Sequence, residues 1–264
     1  MVLVPLLLAG MFLLNGPSWQ LLTCCPIVLA ADEWARLAGY RRIGRFAFIG
    51  VILASCLGLV AAFLSPSFLA GANGLSNVLF LLALIFWAVA APFWLFRGWR
   101  VKQPLFLGIV GWIVLVPAWL AAAFLQRSPW ILLAMLLVVW VADIAAYFAG
   151  HRFGRRKLAP QISPGKTWEG VIGAFIAVLA YGFLASFVLQ SSANVFDRLA
   201  MLVFVAAMTV LGIVGDLFES WIKRGAGMKD SGNMLPGHGG LLDRIDSLTA
   251  ALPFAALYYL PVLG

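Results

Sequence analysis

The sequence predicts an all-α polytopic membrane protein, and three observations carry that expectation. Only 11% of the 264 residues are charged and 64% are hydrophobic, against roughly 25% charged residues in globular domains. The mean hydropathy is +1.02. Apolar runs long enough to cross a hydrocarbon core of about 30 Å as helix recur along the whole chain.

Nine such segments are expected, at 3–14, 18–31, 45–64, 76–96, 104–124, 129–149, 169–190, 197–220 and 246–262. The first two are short and separated by Asn15, Gly16 and Pro17, which allows two tilted spans or a helical hairpin. The third, fourth and fifth contain no acid; the sixth contains Asp143, the eighth Asp216 and Glu219, and the ninth opens on Asp246. The seventh follows a polar loop in which Thr167 is placed to cap it, with Glu169 and Gly170 in its first turn. No basic n-region or small-residue cleavage site marks the first run, so it reads as a retained span rather than a removed leader. Cys24, Cys25 and Cys56 are odd in number and lie in apolar runs, which argues against a disulfide framework and a zinc site. Residues 1–128 read as a transmembrane scaffold offering lipid access or oligomer contacts, and 129–264 as a catalytic region with polar loops at 150–168 and 221–245.

The formal charge of +8 is distributed by topology rather than by a nucleic-acid footprint. Arg36, Arg41, Arg42 and Arg45 follow the second segment; Arg97, Arg100 and Lys102 follow the fourth. Arg152, Arg155, Arg156, Lys157 and Lys166 follow the sixth, and Lys223, Arg224, Lys229 and Arg244 the eighth. Only Arg127 and Arg198 occupy the intervening loops. Cations on every second loop mark the cytoplasmic side, so the N-terminus is expected there, with the polar loops facing a soluble anion or anionic lipid.

Acids within spans are expensive, at about 2.5 kcal/mol or more each, and call for a function. Asp216, Glu219, Ser220 and Lys223 follow at i, i+3, i+4 and i+7 and share one helical stripe; Asp243 and Asp246 are likewise three apart, with Arg244 turned away. Carboxylates converging from two helix ends suit Mg²⁺, a hard cation that takes oxygen ligands. The loop between them holds Gly232, Pro236, Gly237, Gly239 and Gly240, whose backbone N–H groups suit phosphate oxygens, with His238 placed to donate to phosphate. Ser163-Pro164-Gly165-Lys166 before the seventh span offers a second phosphate contact at a helix start. It lacks the spacing and the preceding strand of a P-loop, which excludes a Walker ATPase.

SWIKRGAGMKDSGNMLPGHGGLLDRIDS, residues 220–247, resembles the signature of the phosphatidate cytidylyltransferases, or CDP-diglyceride synthases: Ser, Lys-Arg, Lys-Asp, Pro-x-His-Gly-Gly and Asp-Arg-x-Asp. The upstream run VADIAAYFAGHRFGRRKLAPQISPGKTWEG is similar to the same family, so the specific resemblance covers about residues 140–250. It implies a bacterial inner-membrane enzyme that makes CDP-diacylglycerol and pyrophosphate from CTP and phosphatidic acid, with Mg²⁺ and a monovalent cation such as K⁺ beside it. The resemblance makes Asp216 and Asp243 the metal-ligating pair with Asp246 close by, and lines the substrate site with Ser220, Lys223, Arg224, Lys229, Asp230 and His238. The chemistry agrees: a lipid phosphate is already an anion, so catalysis needs charge neutralisation and positioning rather than a strong base. Lys223, Arg224, Lys229 and Lys166 would neutralise phosphates, His238 with Gly239 and Gly240 would grip CTP or pyrophosphate, and Ser163, Arg244 and Asp143 would complete the surroundings.

An acceptor such as an isoprenoid phosphate or ether lipid remains open, because nothing in the sequence reads acyl chains. A cation-coupled transporter would place its charges near the midplane of two related halves, a pattern absent here. An intramembrane aspartyl protease would need Gly at position 213, where Ile213 stands. A homodimer is compatible with the sequence, and nucleic acid is not an expected partner.

Overall fold

The polar break at Asn15 works as a helix start. Its side-chain oxygen accepts the Ser18 amide at 3.0 Å, and Pro17 sits in the first turn, where its missing N–H costs nothing. It separates α1 (Leu3–Leu13) from α2 (Gly16–Leu37) in a computed structural model that describes residues 3–64, 66–189, 194–232 and 239–263. The 11 residues of α1 rise about 16 Å, half of a hydrocarbon core. α2 is long enough to cross but runs past the expected end at residue 31, so that Asp32, Glu33 and Arg36 belong to its last turns rather than to a loop.

The chain continues through α3 (Arg42–Leu64), α4 (Pro66–Ile85), a π turn at Phe86–Ala90, α5 (Ala91–Arg97), α6 (Pro104–Leu125) and α7 (Pro129–Phe153). A hairpin of β1 (Lys157–Ala159) and β2 (Ser163–Thr167) precedes α8 (Trp168–Leu189), α9 (Val195–Gly225) and α10 (Leu242–Leu263). Among the described residues seven stretches are long and apolar enough to cross a membrane, at 42–64, 74–97, 104–125, 129–153, 168–187, 195–225 and 242–263. The chain is therefore a helical polytopic membrane protein. Of the nine expected spans seven meet these criteria among the described residues; α1 has 11 residues, and α2 is long enough but more polar along its length.

Among the described residues the hairpin is the only sheet in an otherwise helical chain. β1 and β2 pair antiparallel, with Lys157 opposite Thr167 and Ala159 opposite Ser163, inside what the sequence presented as loop. Thr167 performs the expected capping: its Oγ1 accepts the Gly170 amide at 3.1 Å at the start of α8. The Glu169 carboxylate reaches back to the Arg156 amide at 3.2 Å, which fixes the hairpin over the helix end.

Alternate loops meet at one face. Trp221 Nε1 donates to the Trp99 carbonyl at 2.7 Å, Arg224 Nε to the Ile162 carbonyl at 3.3 Å, and the Leu242 amide to Glu33 at 2.8 Å. The ends of α2, α5, α7 and α9 thus share a side with sixteen of the eighteen cations. At the other end Arg127 donates to the Leu263 carbonyl at 2.7 Å, and Arg198 to Ser186 Oγ at 3.0 Å.

The core runs through both halves of the chain: α10 packs on α9, α6 and α4. Fully buried Phe218 is clamped edge-on by Phe86, Trp87 and Trp94, at ring-centroid distances of 5.3, 5.6 and 5.4 Å. That aromatic clamp holds one side of α9 while its acidic stripe faces α10. Gly215 permits the close approach: a Cβ there would stand 2.7 Å from the Asp246 carbonyl and 3.0 Å from the Ala250 Cβ. Gly215→Ala should force the two helices apart at a cost of about 1–3 kcal/mol, the range of overpacked cores, read as a lower Tm in detergent. An unchanged Tm would show that α9 and α10 separate freely.

Candidate active site

At the shared face, α7, the hairpin, α8, α9 and α10 surround a cavity of about 680 Å³, inside the range of about 300–1,000 Å³ typical of small-molecule sites. Its polar lining includes Asp143 of α7, Ser163 and Lys166 of β2, and Asp216 of α9; Tyr147 and His151, one helical turn apart on α7, also face it. Lys166 Nζ lies 2.5 Å from Asp216 Oδ2, so the strand projects its cation across the cavity onto α9. Ser220 Oγ adds a weak contact to Asp216 Oδ1 at 3.4 Å, one turn away as the stripe predicts.

Beside the cavity is a second, buried cluster. Lys223 Nζ donates to Asp243 Oδ1 at 2.5 Å and to Glu219 Oε2 at 3.1 Å, joining α9 to α10. The other oxygen of Asp243, Oδ2, accepts the Gly240 amide at 2.8 Å and the Ser231 amide at 3.0 Å. Asp243 thereby organises the loop before α10, and both of its oxygens are engaged. Asp246 accepts the Ser247 amide at 2.7 Å and lies close enough to Asp216 and Glu219 for their charges to interact.

Among the described residues, the remaining sequence-selected ones do not line the cavity. Arg224 is exposed and donates from Nε to the Ile162 carbonyl and from Nη1 to the Met228 carbonyl at 3.2 Å, so it ties hairpin and loop together. Lys229, Asp230 and Arg244 are exposed at the same face. Gly239 and Gly240 flank the Asp243 carboxylate. His238 lies outside the described residues, as do Pro236 and Gly237.

Two residues that sequence reasoning passed over stand at the centre of this arrangement. Glu33 of α2 is fully buried, and its carboxylate accepts Ser231 Oγ at 2.8 Å, the Leu241 amide at 3.0 Å and the Leu242 amide at 2.8 Å. Ser231, also fully buried, gives its hydroxyl to Glu33 and its amide to Asp243, so one residue links both carboxylates. Glu33 stands in the charged last turns of α2, between Asp32 and Arg36, where an acid by itself does not call for a function.

Asp143, Asp216, Glu219, Asp243 and Asp246 share this region with Lys166 and Lys223, an excess of acid over base. Glu219 Oε1 is buried without a hydrogen-bond partner, and such an orphaned acceptor suits a cation. Among the described residues no three acid, His or Cys side chains already stand in a metal-holding group. Asp216 and Asp246, with Glu219 beside them, are the carboxylates that fit the role; Asp243 would reach a metal only by releasing Lys223.

With its long apolar helices and a carboxylate and lysine cavity at one face, the molecule is in class an integral-membrane protein. This chain belongs to the cytidylyltransferase family, whose model matches residues 1–261. It is 43% identical over 270 positions to the phosphatidate cytidylyltransferase of Pseudomonas aeruginosa, covering 98% of this chain and 94% of that relative. The phosphatidate cytidylyltransferase of Haemophilus influenzae is 48% identical over 135 positions, 50% of this chain and 46% of its own. That of Thermotoga maritima is 45% identical over 129 positions, 48% of each chain.

Proposed function

We propose that this protein transfers CMP from CTP to phosphatidic acid, giving CDP-diacylglycerol and pyrophosphate at the cytoplasmic face of a bacterial inner membrane. The observation that carries the reading is the Lys166–Asp216 pair across a cavity at the membrane face, in a chain similar over nearly its full length to a phosphatidate cytidylyltransferase. The concentration of cations on the same face supports a cytoplasmic orientation.

In this reaction an ionised oxygen of the lipid phosphate attacks the α-phosphorus of CTP. The new P–O bond forms as the bond to the bridging oxygen breaks, and the electron pair leaves with pyrophosphate. Lys166 stands where it can neutralise a phosphate, and Asp216 holds its ammonium in place until an anion arrives. Ser163 and the neighbouring strand backbone offer donors to the same phosphates. Lys223 spans two carboxylates and keeps α9 and α10 in register, with Asp243 fixing the Gly240 backbone just before α10. Arg224, Lys229 and Arg244 raise the positive potential through which CTP approaches. Mg²⁺ held by Asp216 and Asp246, with K⁺ as a companion, would supply Lewis-acid neutralisation of the phosphate charge. The cavity's position at helix ends lets a lipid phosphate enter while its acyl chains remain in the bilayer.

The test is pyrophosphate release by the purified protein with CTP and phosphatidic acid, with and without Mg²⁺. Release requiring all three is the expected result; release with an isoprenoid phosphate but not phosphatidic acid would overturn the acceptor assignment. Lys166→Ala should lower kcat/KM for CTP by about ten- to a hundredfold, the loss of one charged contact to a phosphate. A normal value would remove Lys166 from the phosphate site.

A further inference from the structure

A second cavity on the same face has a different character. It has a volume of about 250 Å³ and shares no lining residue with the carboxylate cavity. Its charged lining consists of Arg36 at the end of α2 and Arg100 and Lys102 between α5 and α6, with no acid among its lining residues. Trp99 and Trp221 are the aromatic residues of the remaining wall.

The cavity has a defined frame. The Trp99 carbonyl accepts two indole N–H groups, from Trp94 at 2.8 Å and Trp221 at 2.7 Å, which locks the turn after α5 against α9. The Arg100 guanidinium lies 5.7 Å from the Trp221 ring centroid, held over its face. Arg36 has no close ion pair: its Nε is 3.8 Å from Asp32, whose two oxygens are taken by Arg45, and the nearby Glu33 carboxylate is engaged by Ser231, Leu241 and Leu242. That Arg36 Nε is buried without a hydrogen-bond partner. Among the described residues neither Arg100 nor Lys102 forms an ion pair.

A purely topological role requires only that cations lie on one side of the membrane; it does not require three of them to converge on one aromatic-walled cavity. Helix dipoles do not account for them either. The C-terminal ends of α2, α5 and α9 contribute about half a negative charge each, less than the cations supply. The missing counter-charge is an anion. Outside the cavity, Phe93, Phe96, Leu105, Phe106 and Ile109 form an exposed apolar surface on α5 and α6. A phosphate in the cavity would therefore have a place for attached acyl chains directly beside it, and basic pockets between spans at this depth suit anionic headgroups.

We propose that this cavity binds the phosphate headgroup of an anionic phospholipid, at a site separate from the catalytic cavity. The two sites are mechanically close. Arg36 follows Glu33 by one turn of α2, and a Cβ on Gly232 would lie 2.9 Å from Arg36 Nη2 and 2.6 Å from Glu33 Oε1. Trp221 lies on α9 between Ser220 and Lys223. Headgroup occupancy would brace the end of α2, and with it the loop that Glu33 holds.

The full chain in neutral detergent, titrated with phosphatidylglycerol or phosphatidylcholine and examined by native mass spectrometry, tests the assignment. One phosphatidylglycerol should be retained in preference to phosphatidylcholine, and the double variant R100A/K102A should weaken that retention about thirtyfold. Both positions are exposed, so the variant should fold. Asp216→Asn should bind the lipid like the unaltered protein, which separates this site from the catalytic one. Equal retention of the two lipids, or full retention by R100A/K102A, would overturn the proposal. Displacement of phosphatidylglycerol by inorganic phosphate, but not by chloride at the same ionic strength, would assign the cavity to a soluble phosphate instead.

Discussion

Asp216→Asn should reduce pyrophosphate release by at least about a hundredfold, the scale of removing one contact from a preorganised electrostatic site, while the protein still inserts and folds. Asn has nearly the shape of Asp, and with its amide oxygen turned to Lys166 Nζ and its N–H₂ to Ser220 Oγ, whose hydroxyl oxygen can accept, the hairpin keeps its tether. What disappears is a formal negative charge between Lys166 and Asp246. If Asp216 helps hold Mg²⁺, the Mg²⁺ concentration for half-maximal rate should rise as the maximal rate falls. If it serves only to orient Lys166, the double variant D216N/K166A should be no worse than the poorer single variant. Activity within a few-fold of the unaltered protein, at any Mg²⁺ concentration, would remove Asp216 from the reaction.

The acidic stripe of α9 was legible because helix period and membrane cost act on it together. Asp216, Glu219, Ser220 and Lys223 had to share a face, and the structure joins them by the expected one-turn contacts. The seven long spans and the segregation of cations were legible for the same reason, since both follow from the cost of charge in hydrocarbon. The hairpin was not. Ser-Pro-Gly-Lys-Thr has no alternation to announce a strand, and β2 exists through its pairing with β1 and the cap that Thr167 gives α8. Nor did the sequence separate Asp243 from Asp216. Both are acids at helix ends, and only the positions of Ser231, Gly240 and Lys223 show that one is enclosed by donors while the other opens on a cavity. Glu33 was missed because its partners are about 200 residues away, at sequence separations of 198, 208 and 209. Reading α2 as ending at residue 31 placed that acid in a loop, where a charge needs no explanation.

Glu33→Ala should cost nearly as much activity as a change in the cavity, although Glu33 lies in the half of the chain that the sequence presented as scaffold. Its carboxylate satisfies the Leu241 and Leu242 amides at the start of α10 and the Ser231 hydroxyl, all buried. Removing it orphans those donors, at about 1–3 kcal/mol for each buried group left unpaired, and deletes an anion from a helix N-terminus. Gly240 shows how tightly the parts fit, since any Cβ there would collide with Ser231 Oγ and the Glu33 carboxylate. The strain should fall on the loop rather than on the fold, because the aromatic clamp around Phe218 and the packing of α10 on α6 do not involve Glu33. Hydrogen exchange should then quicken at the Leu241 and Leu242 amides while α6 stays protected, and kcat/KM should drop by about a hundredfold, as for a site misplaced by roughly an ångström. Glu33→Gln keeps one oxygen acceptor but turns an N–H₂ toward donors, so it should recover only part of the rate. Lost activity with unchanged exchange at 241 and 242 would show that Glu33 acts by some route other than holding the loop. Unchanged activity in both variants would mean that Asp243 alone fixes the start of α10.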